Sequence, residues 1–129
     1  MARTLKLSAT YNLAAGDGVS AETQSAVSSL TSGLSTMIAG SAPITTGKEY
    51  AVADFLGASN KAKGIYFENT DSTNYITLAC GTGTGLSDVC NLRVKAGSVV
   101  MFHDDTDQIT HIKVTADTAA ASFVLSFCE

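Results

Sequence analysis

Residues 64–80 read GIYFENTDSTNYITLAC, and this stretch decides the fold class. Ile65 and Phe67 alternate with more polar residues, which is the period of a strand that buries one face. The run NTDSTN that follows is dense in turn-forming residues, and Ile76 and Leu78 then resume the alternation. The stretch therefore predicts two antiparallel strands joined by a short turn.

The same alternation continues to the C-terminus. Apolar residues recur at every second position in residues 92–95, 109–116 and 122–128, and turn-forming residues separate these runs. Residues 98–103 are apolar enough that we expect a central strand buried on both faces. Closely spaced short strands with no helices between them predict an antiparallel all-β sandwich, jelly-roll-like in arrangement.

The N-terminal half has a less uniform pattern. Residues 4–13 alternate strictly, so we expect a strand with one buried and one solvated face. Its apolar face carries Leu5, Leu7, Ala9, Tyr11 and Leu13. Residues 19–46 form a Ser/Thr-rich segment whose apolar residues partly have helical spacing, but its composition and Gly33 favour extended structure, with a strand at residues 34–38. We expect residues 54–63 to be a connection and the whole chain, 1–129, to be a single domain.

Composition and charge argue against several classes of partner. Twelve acidic and eight basic residues give a net charge of −4, and the basic residues are scattered, whereas a nucleic-acid-binding face requires them clustered. The first residues lack the apolar run of an export signal, and no stretch approaches the roughly 18 apolar residues of a membrane span. Three cysteines, an odd number, fit synthesis in the cytoplasm better than a secreted disulfide scaffold. We therefore expect no nucleic-acid and no membrane partner.

Three features invite a chemical interpretation. Residues 81–85 (GTGTG) resemble a phosphate-binding loop, but they lack a following helix and a P-loop lysine, so we expect a flexible hairpin tip. Cys80 and Cys90 flank this tip and are expected to face each other, as free thiols, as a disulfide or as two ligands of a metal. Residues 103–107 (HDDTD) suggest calcium binding or a general base, yet they lack EF-hand spacing, so we expect a polar turn.

The remaining candidate residues do not form a recognisable catalytic pattern. Ser, His and Asp are all present, but the sequence has no Gly-x-Ser-x-Gly elbow, and His111 is predicted on the outward face of its strand. Tyr50, Tyr66 and Tyr75 are candidates for a sugar-binding surface, although without Trp we favour roles at core edges or interfaces. We expect no enzyme activity, no catalytic, cofactor or metal site, and no small-molecule substrate.

Three runs of the sequence together resemble a pattern of small structural proteins from tailed bacteriophages. The runs are residues 64–78 with their N-x-D-x-x-N-Y turn, residues 92–97 (LRVKAG) and residues 112–129. Within that group the chain is most similar to capsid decoration or cement proteins. The resemblance covers the second half of the chain and its first strand. The sequence departs from the pattern in its longer glycine-rich hairpin and in the Ser-rich segment.

The resemblance implies a mechanical function. A decoration protein binds the mature phage head more tightly than the immature one and stabilises it by mass action. The resemblance also implies the major capsid protein as partner, a homotrimer on threefold positions of the lattice, and a location on the capsid surface of the virion after synthesis in the bacterial host cytoplasm. The N-terminal strand and the Ser-rich segment are the expected contacts. A tail or head-fibre subunit and a carbohydrate-binding β-sandwich module are the alternatives.

Overall fold

Ten strands and one short helix make up the part of the chain that the computed structural model describes, which is residues 3–16, 18, 20–103, 106 and 108–129. In chain order they are β1 (Arg3–Leu13), β2 (Glu22–Ser32), β3 (Ser35–Ala42), β4 (Lys48–Ala51), α1 (Ala53–Leu56), β5 (Gly64–Asn69), β6 (Ile76–Gly81), β7 (Cys90–Val94), β8 (Val99–His103), β9 (His111–Ala116) and β10 (Ala121–Cys128).

Eight of these strands form two four-stranded antiparallel sheets, with the orders β3-β10-β5-β8 and β4-β9-β6-β7. Four pairings are nested in the sequence, namely β3 with β10, β4 with β9, β5 with β8 and β6 with β7. This nesting is the strand arrangement of a jelly roll, in which a long antiparallel ribbon is rolled into two facing sheets. The predicted antiparallel β-sandwich with jelly-roll-like arrangement is therefore confirmed.

The core lies between the two sheets and is built by the alternation seen in the sequence. Every second residue of β5, β6, β9 and β10 is buried, and these inward side chains belong to one hydrophobic cluster. Phe67 of β5 stacks on Phe123 of β10 with the ring centroids 5.7 Å apart. A period of two explains why these four strands could be assigned from the sequence, because each buries one face against the opposite sheet.

The strand β8 corrects the expectation for residues 98–103. It lies at the edge of its sheet and pairs only with β5, so it is not a central strand. Val99 and Met101 are 46% and 36% exposed, because they point away from the core and nothing in the described chain covers them completely. Only the alternate residues Val100 and Phe102 pack against the core.

The N-terminal half is extended, as the composition favoured, but its strands differ from the predicted ones. Residues 19–46 contain β2 and β3, and β3 begins and ends later than the predicted strand at residues 34–38. The expected buried face of the first strand is wrong beyond Leu7, because β1 pairs only with β2 and the pair stands outside both sheets. The connection expected at residues 54–63 contains most of α1, whose Leu56 is buried in the core.

Candidate interaction surface

The glycine-rich connection between β6 and β7, residues 82–89, is held by the protein's own carboxylates, and we call it the glycine loop. Asp88 accepts hydrogen bonds from the backbone N–H (2.9 Å) and the hydroxyl (2.7 Å) of Thr82, and these bonds hold the pKa of Asp88 below its usual value. The N–H of Gly85 donates to Oε2 of Glu49 on β4 at 2.9 Å. A phosphate loop would offer such amides to an anion, but here side chains occupy them. The loop is a hairpin tip, as predicted; Asp88 ties its start to its end, and Glu49 holds its middle.

Cys80 on β6 and Cys90 on β7 are directly opposite each other, as the sequence led us to expect. Both are free thiols, and the thiol of Cys90 donates to the backbone carbonyl of Leu78 at 3.7 Å. The neighbouring Cys90 thiol and burial raise the pKa of Cys80, whereas the neighbouring Cys80 thiol lowers the pKa of Cys90. Among the described residues, no group of three or more His, Cys, Asp or Glu side chains is arranged to hold a metal ion.

The two histidines lie on different sheets of the sandwich. His111 is on the outward face of β9, as predicted, and its ring nitrogens contact the hydroxyls of Thr110 (2.9 Å) and Thr84 (3.3 Å). His103 ends β8. The carboxylates of the predicted polar turn, Asp104, Asp105 and Asp107, lie outside the described residues.

The three tyrosines considered for sugar binding lie on three different surfaces. Tyr50 of β4 is half-buried and meets the ring of the core residue Phe123 and that of the exposed Phe55 edge-on. Tyr66 lies on the outward face of β5, on the other sheet. Tyr75 precedes β6, and the guanidinium of Arg93 covers its ring at 4.1 Å from the centroid. They therefore do not form a common platform for a sugar ring.

The N-x-D-x-x-N-Y turn has a structural task that the sequence pattern did not reveal. The buried amide of Asn69 donates to the backbone carbonyls of Asn74 and Val94, each at 2.9 Å. Asp71 accepts from the backbone N–H groups of Asn74 (2.7 Å) and Thr73 (2.8 Å), and these bonds lower its pKa. The motif thus closes the turn between β5 and β6 and ties one sheet to the end of β7 in the other.

The strands β1 and β2 form a separate antiparallel hairpin, which we call the arm. Its base and its tip have different surroundings, although the same apolar face of β1 runs through both. Leu5 and Leu7 at the base are half-buried. Tyr11 and Leu13 at the tip are 54% and 48% exposed. The apolar alternation of β1 therefore extends beyond the surface that its own chain provides for it.

A second apolar surface is the outer face of the β3-β10-β5-β8 sheet, the side turned away from the core. We call it the outer face. Met37 at its β3 edge is 71% exposed. The strand register aligns two rows of outward residues across the four strands: Met37, Ser126, Tyr66 and Met101 in one row, and Ala39, Val124, Glu68 and Val99 in the other.

The base of the arm is opposite this outer face, across an open groove. A groove of about 370 Å³ separates Leu5 and Leu7 of the arm from sheet residues that include Met37, Tyr66 and Ser126. A smaller cavity of about 200 Å³ is bounded by arm residues and Met101. Further out, the cavity beside Tyr11 is lined by arm residues alone. The arm therefore begins on the outer face and loses contact with the sandwich towards its tip.

Comparison with known proteins adds no assignment to this geometry. Family models, curated proteins and solved structures were each searched, and none matches the chain. Among the described residues α1 is the only helix, and its four residues are far too few to cross a membrane. The surface feature that stands out is thus the pair of adjoining apolar areas, the arm and the outer face.

Sequence reasoning missed most of this candidate surface. It named the N-terminal strand as a contact but expected its apolar face to be buried, and it assigned residues 98–103 to the interior. The alternation in the sequence shows that Tyr11 and Val99 share a face with other apolar residues, but it does not show which faces the fold leaves open. The strand order supplies that information.

Proposed function

We propose that this chain is a structural virion protein of a tailed bacteriophage, a capsid decoration or cement protein that binds and stabilises the mature head. The observation that carries the proposal is the combination of an apolar arm and an apolar outer face on a small jelly roll. Exposed apolar side chains gathered on one side of a small domain are typical of surfaces that bind other proteins. The jelly roll occurs in viral capsid domains, and this analogy of fold supports the proposal without specifying it.

The function follows from differential binding. If the chain binds the expanded shell more tightly than the immature one, its attachment shifts the equilibrium towards the expanded shell. The partner is the major capsid protein, and symmetric lattice positions favour a homo-oligomer, with a trimer matching threefold positions. The protein then works on the capsid surface of the virion and needs no catalytic group.

The test is a fractionation of virions from the phage whose genome encodes the chain. Particles are dissociated under mild conditions, heads and tails are separated, and the chain is quantified in each fraction by mass spectrometry. We expect it in the head fraction at a stoichiometry close to the number of lattice positions. Recovery with tails alone would assign it to a tail or fibre part, and absence from particles would refute the virion proposal altogether.

A binding experiment tests the mechanism separately. The purified chain is mixed with expanded and with unexpanded shells and sedimented. We expect it to pellet with expanded shells and to remain largely in the supernatant with unexpanded ones. Equal binding to both shells would contradict stabilisation by differential binding, even if the chain proved to be a head component.

A further inference from the structure

We propose that Cys80 and Cys90 form a thiol–disulfide exchange site, at which Cys90 reacts with a small disulfide and Cys80 then completes an internal bond. The juxtaposition that carries it is a buried thiol and an accessible thiol directly opposite each other at the base of the glycine loop. Such a site reacts with small molecules, so it does not depend on where the chain is located or on which protein it binds.

The strand pairing brings the two side chains within reach of each other. Cys80 of β6 and Cys90 of β7 are direct partners in the antiparallel register. Directly paired residues have Cα atoms about 4.5 to 5.5 Å apart, which lies within the range of roughly 4.4 to 6.8 Å that disulfides span. Both side chains are on the core side of the sheet, in step with the paired Leu78 and Leu92. A bond between them therefore requires no change in strand pairing.

The different accessibility of the two thiols decides which of them reacts first. Cys80 is fully buried, so a dissolved disulfide does not reach its sulfur. Cys90 is only partly buried, because β7 is the edge strand of its sheet and pairs with β6 alone. The neighbouring Cys80 thiol also holds the pKa of Cys90 below its ordinary value, whereas the pKa of Cys80 is raised. Since the thiolate is the attacking form, accessibility and ionisation both favour Cys90.

The third cysteine of the chain, Cys128, lacks both features of the pair. It is buried, and it lies on β10 in the other sheet. Its strand partners are Ser35 and Gly64, so no second thiol is opposite it. Cys128 therefore serves as an internal reference for a thiol that packs in the core and does not exchange.

The exchange takes place in two steps. The Cys90 thiolate attacks one sulfur of the small disulfide, forms a mixed disulfide with that half and expels the other half as a thiolate. Cys80 then gives its proton to water, and its sulfur attacks the sulfur of Cys90, which expels the second half. Two protein thiols are thereby oxidised, and one small disulfide is reduced to two small thiols.

The internal bond acts as a reversible lock on the edge hairpin. In the reduced protein the glycine loop is held by hydrogen bonds from Thr82 and Gly85 to carboxylates. A disulfide adds a covalent ring of roughly ten residues, which restricts the unfolded chain and so stabilises the folded one. A reducing cytoplasm keeps such a pair as thiols, whereas an oxidising medium closes the bond.

The test uses the aromatic disulfide dithiobis-nitrobenzoate, whose released thiolate is counted by its absorbance. The full chain is compared under native conditions with Cys80→Ala, Cys90→Ala and Cys128→Ala, and the mass of each product is measured. We expect wild type to release two thiolates per chain and to retain no probe. Cys80→Ala should release one and retain one, and Cys90→Ala should release none. Cys128→Ala is the matched control and should behave as wild type.

A measurement on the wild-type chain keeps the test decisive if Cys80→Ala does not fold, as checked by circular dichroism. The reaction is quenched with acid at short times, and peptide mass spectrometry should find the first adduct on Cys90. A first adduct on Cys80 or Cys128, or a wild-type chain that releases no thiolate or retains the probe, would overturn the exchange site.

Thermal unfolding tests the lock. The Tm of the oxidised protein should be about 5 to 10 °C above that of the reduced protein and should return to the lower value with dithiothreitol. An oxidised protein with an unchanged Tm would refute the lock.

Discussion

Replacing Asn69 with Ala should be among the most destabilising single changes that leave the hydrophobic core intact. Asn69 is fully buried, and among the residues that the structure describes it is the only polar or charged residue that is buried. Its amide donates to the carbonyls of Asn74 and Val94 at 2.9 Å, and its carbonyl accepts from the N–H of Asp71 at 3.0 Å. All three bonds end on backbone groups of the turn or of the opposite sheet.

The magnitude follows from these three bonds. A typical hydrogen bond contributes about 1 kcal/mol net, so their loss alone costs about 3 kcal/mol. Alanine leaves the partner groups in place, and a buried carbonyl without a donor adds about 1 kcal/mol or more unless water reaches it. The expected loss is therefore about 3 to 5 kcal/mol, a large part of the roughly 5 to 15 kcal/mol that stabilises a typical domain.

The assay is urea unfolding followed by circular dichroism or intrinsic fluorescence, with Asn91→Ala as the matched control. Asn91 is exposed on β7, so the same substitution there should change the free energy of unfolding by about 0.5 kcal/mol or less. The midpoint for Asn69→Ala should shift strongly with little change in the slope. A loss below about 1 kcal/mol, or equal losses in the two variants, would refute the idea that this amide ties the sheets together.

Three further predictions concern the hairpin and the turn. Gly81→Ala should destabilise the protein, because the added Cβ would clash with the backbone carbonyl oxygen of Leu86. Gly83→Ala should be nearly neutral in thermal unfolding, because its Cβ would meet only the end of the Leu86 side chain, at 3.3 Å. Oxidised glutathione should convert the Cys80 and Cys90 thiols to an intramolecular disulfide, with release of two reduced glutathione molecules. Mass spectrometry would detect the disulfide as the loss of two hydrogens, and retention of all thiols would contradict the prediction. The pKa of Asp71 is lowered in the folded state, so the contribution of its carboxylate to stability is present above about pH 4 and is lost as the pH falls through the folded pKa. The difference in unfolding free energy between wild type and Asp71→Asn should therefore narrow on acidification. A difference that stays constant with pH would argue against this role of the carboxylate.

Strands that pair with another strand on both edges are predicted from the sequence more accurately than edge strands. In β5, β9 and β10, alternation alone identifies the inward residues, because both edges of the strand are paired and one face meets the other sheet. The facing of Cys80 and Cys90 is also predictable, since the two residues flank a single hairpin. The local sequence pattern is sufficient for a strand that is paired on both edges and for two residues that flank one hairpin.

Contacts between distant parts of the chain could not be predicted in this way. Glu49 reaches the glycine loop from β4, 36 residues away in the sequence, and nothing in the run GTGTG indicates this partner. The same holds for the bond from Asn69 to Val94, which spans 25 residues. Both depend on the nested pairing of the strands, and that pairing is a property of the whole chain.

The two errors in predicted burial have a common cause, and this cause bears on function. Both β1 and β8 carry apolar side chains that we expected in an interior, in β1 because of its alternation and in β8 because of its continuous apolar run. In both, the strand order leaves those side chains on the surface. Apolar residues gain about 25 cal/mol for each Å² removed from water, so the pattern is favourable only if something covers it. The cavity between Leu7, Ala9 and Met101 brings the two strands to one place on the molecule. Apolar side chains of β1 and β8 thus line one cavity at the surface, and Ala9 and Met101 stay exposed there because the strand order puts no further element over them.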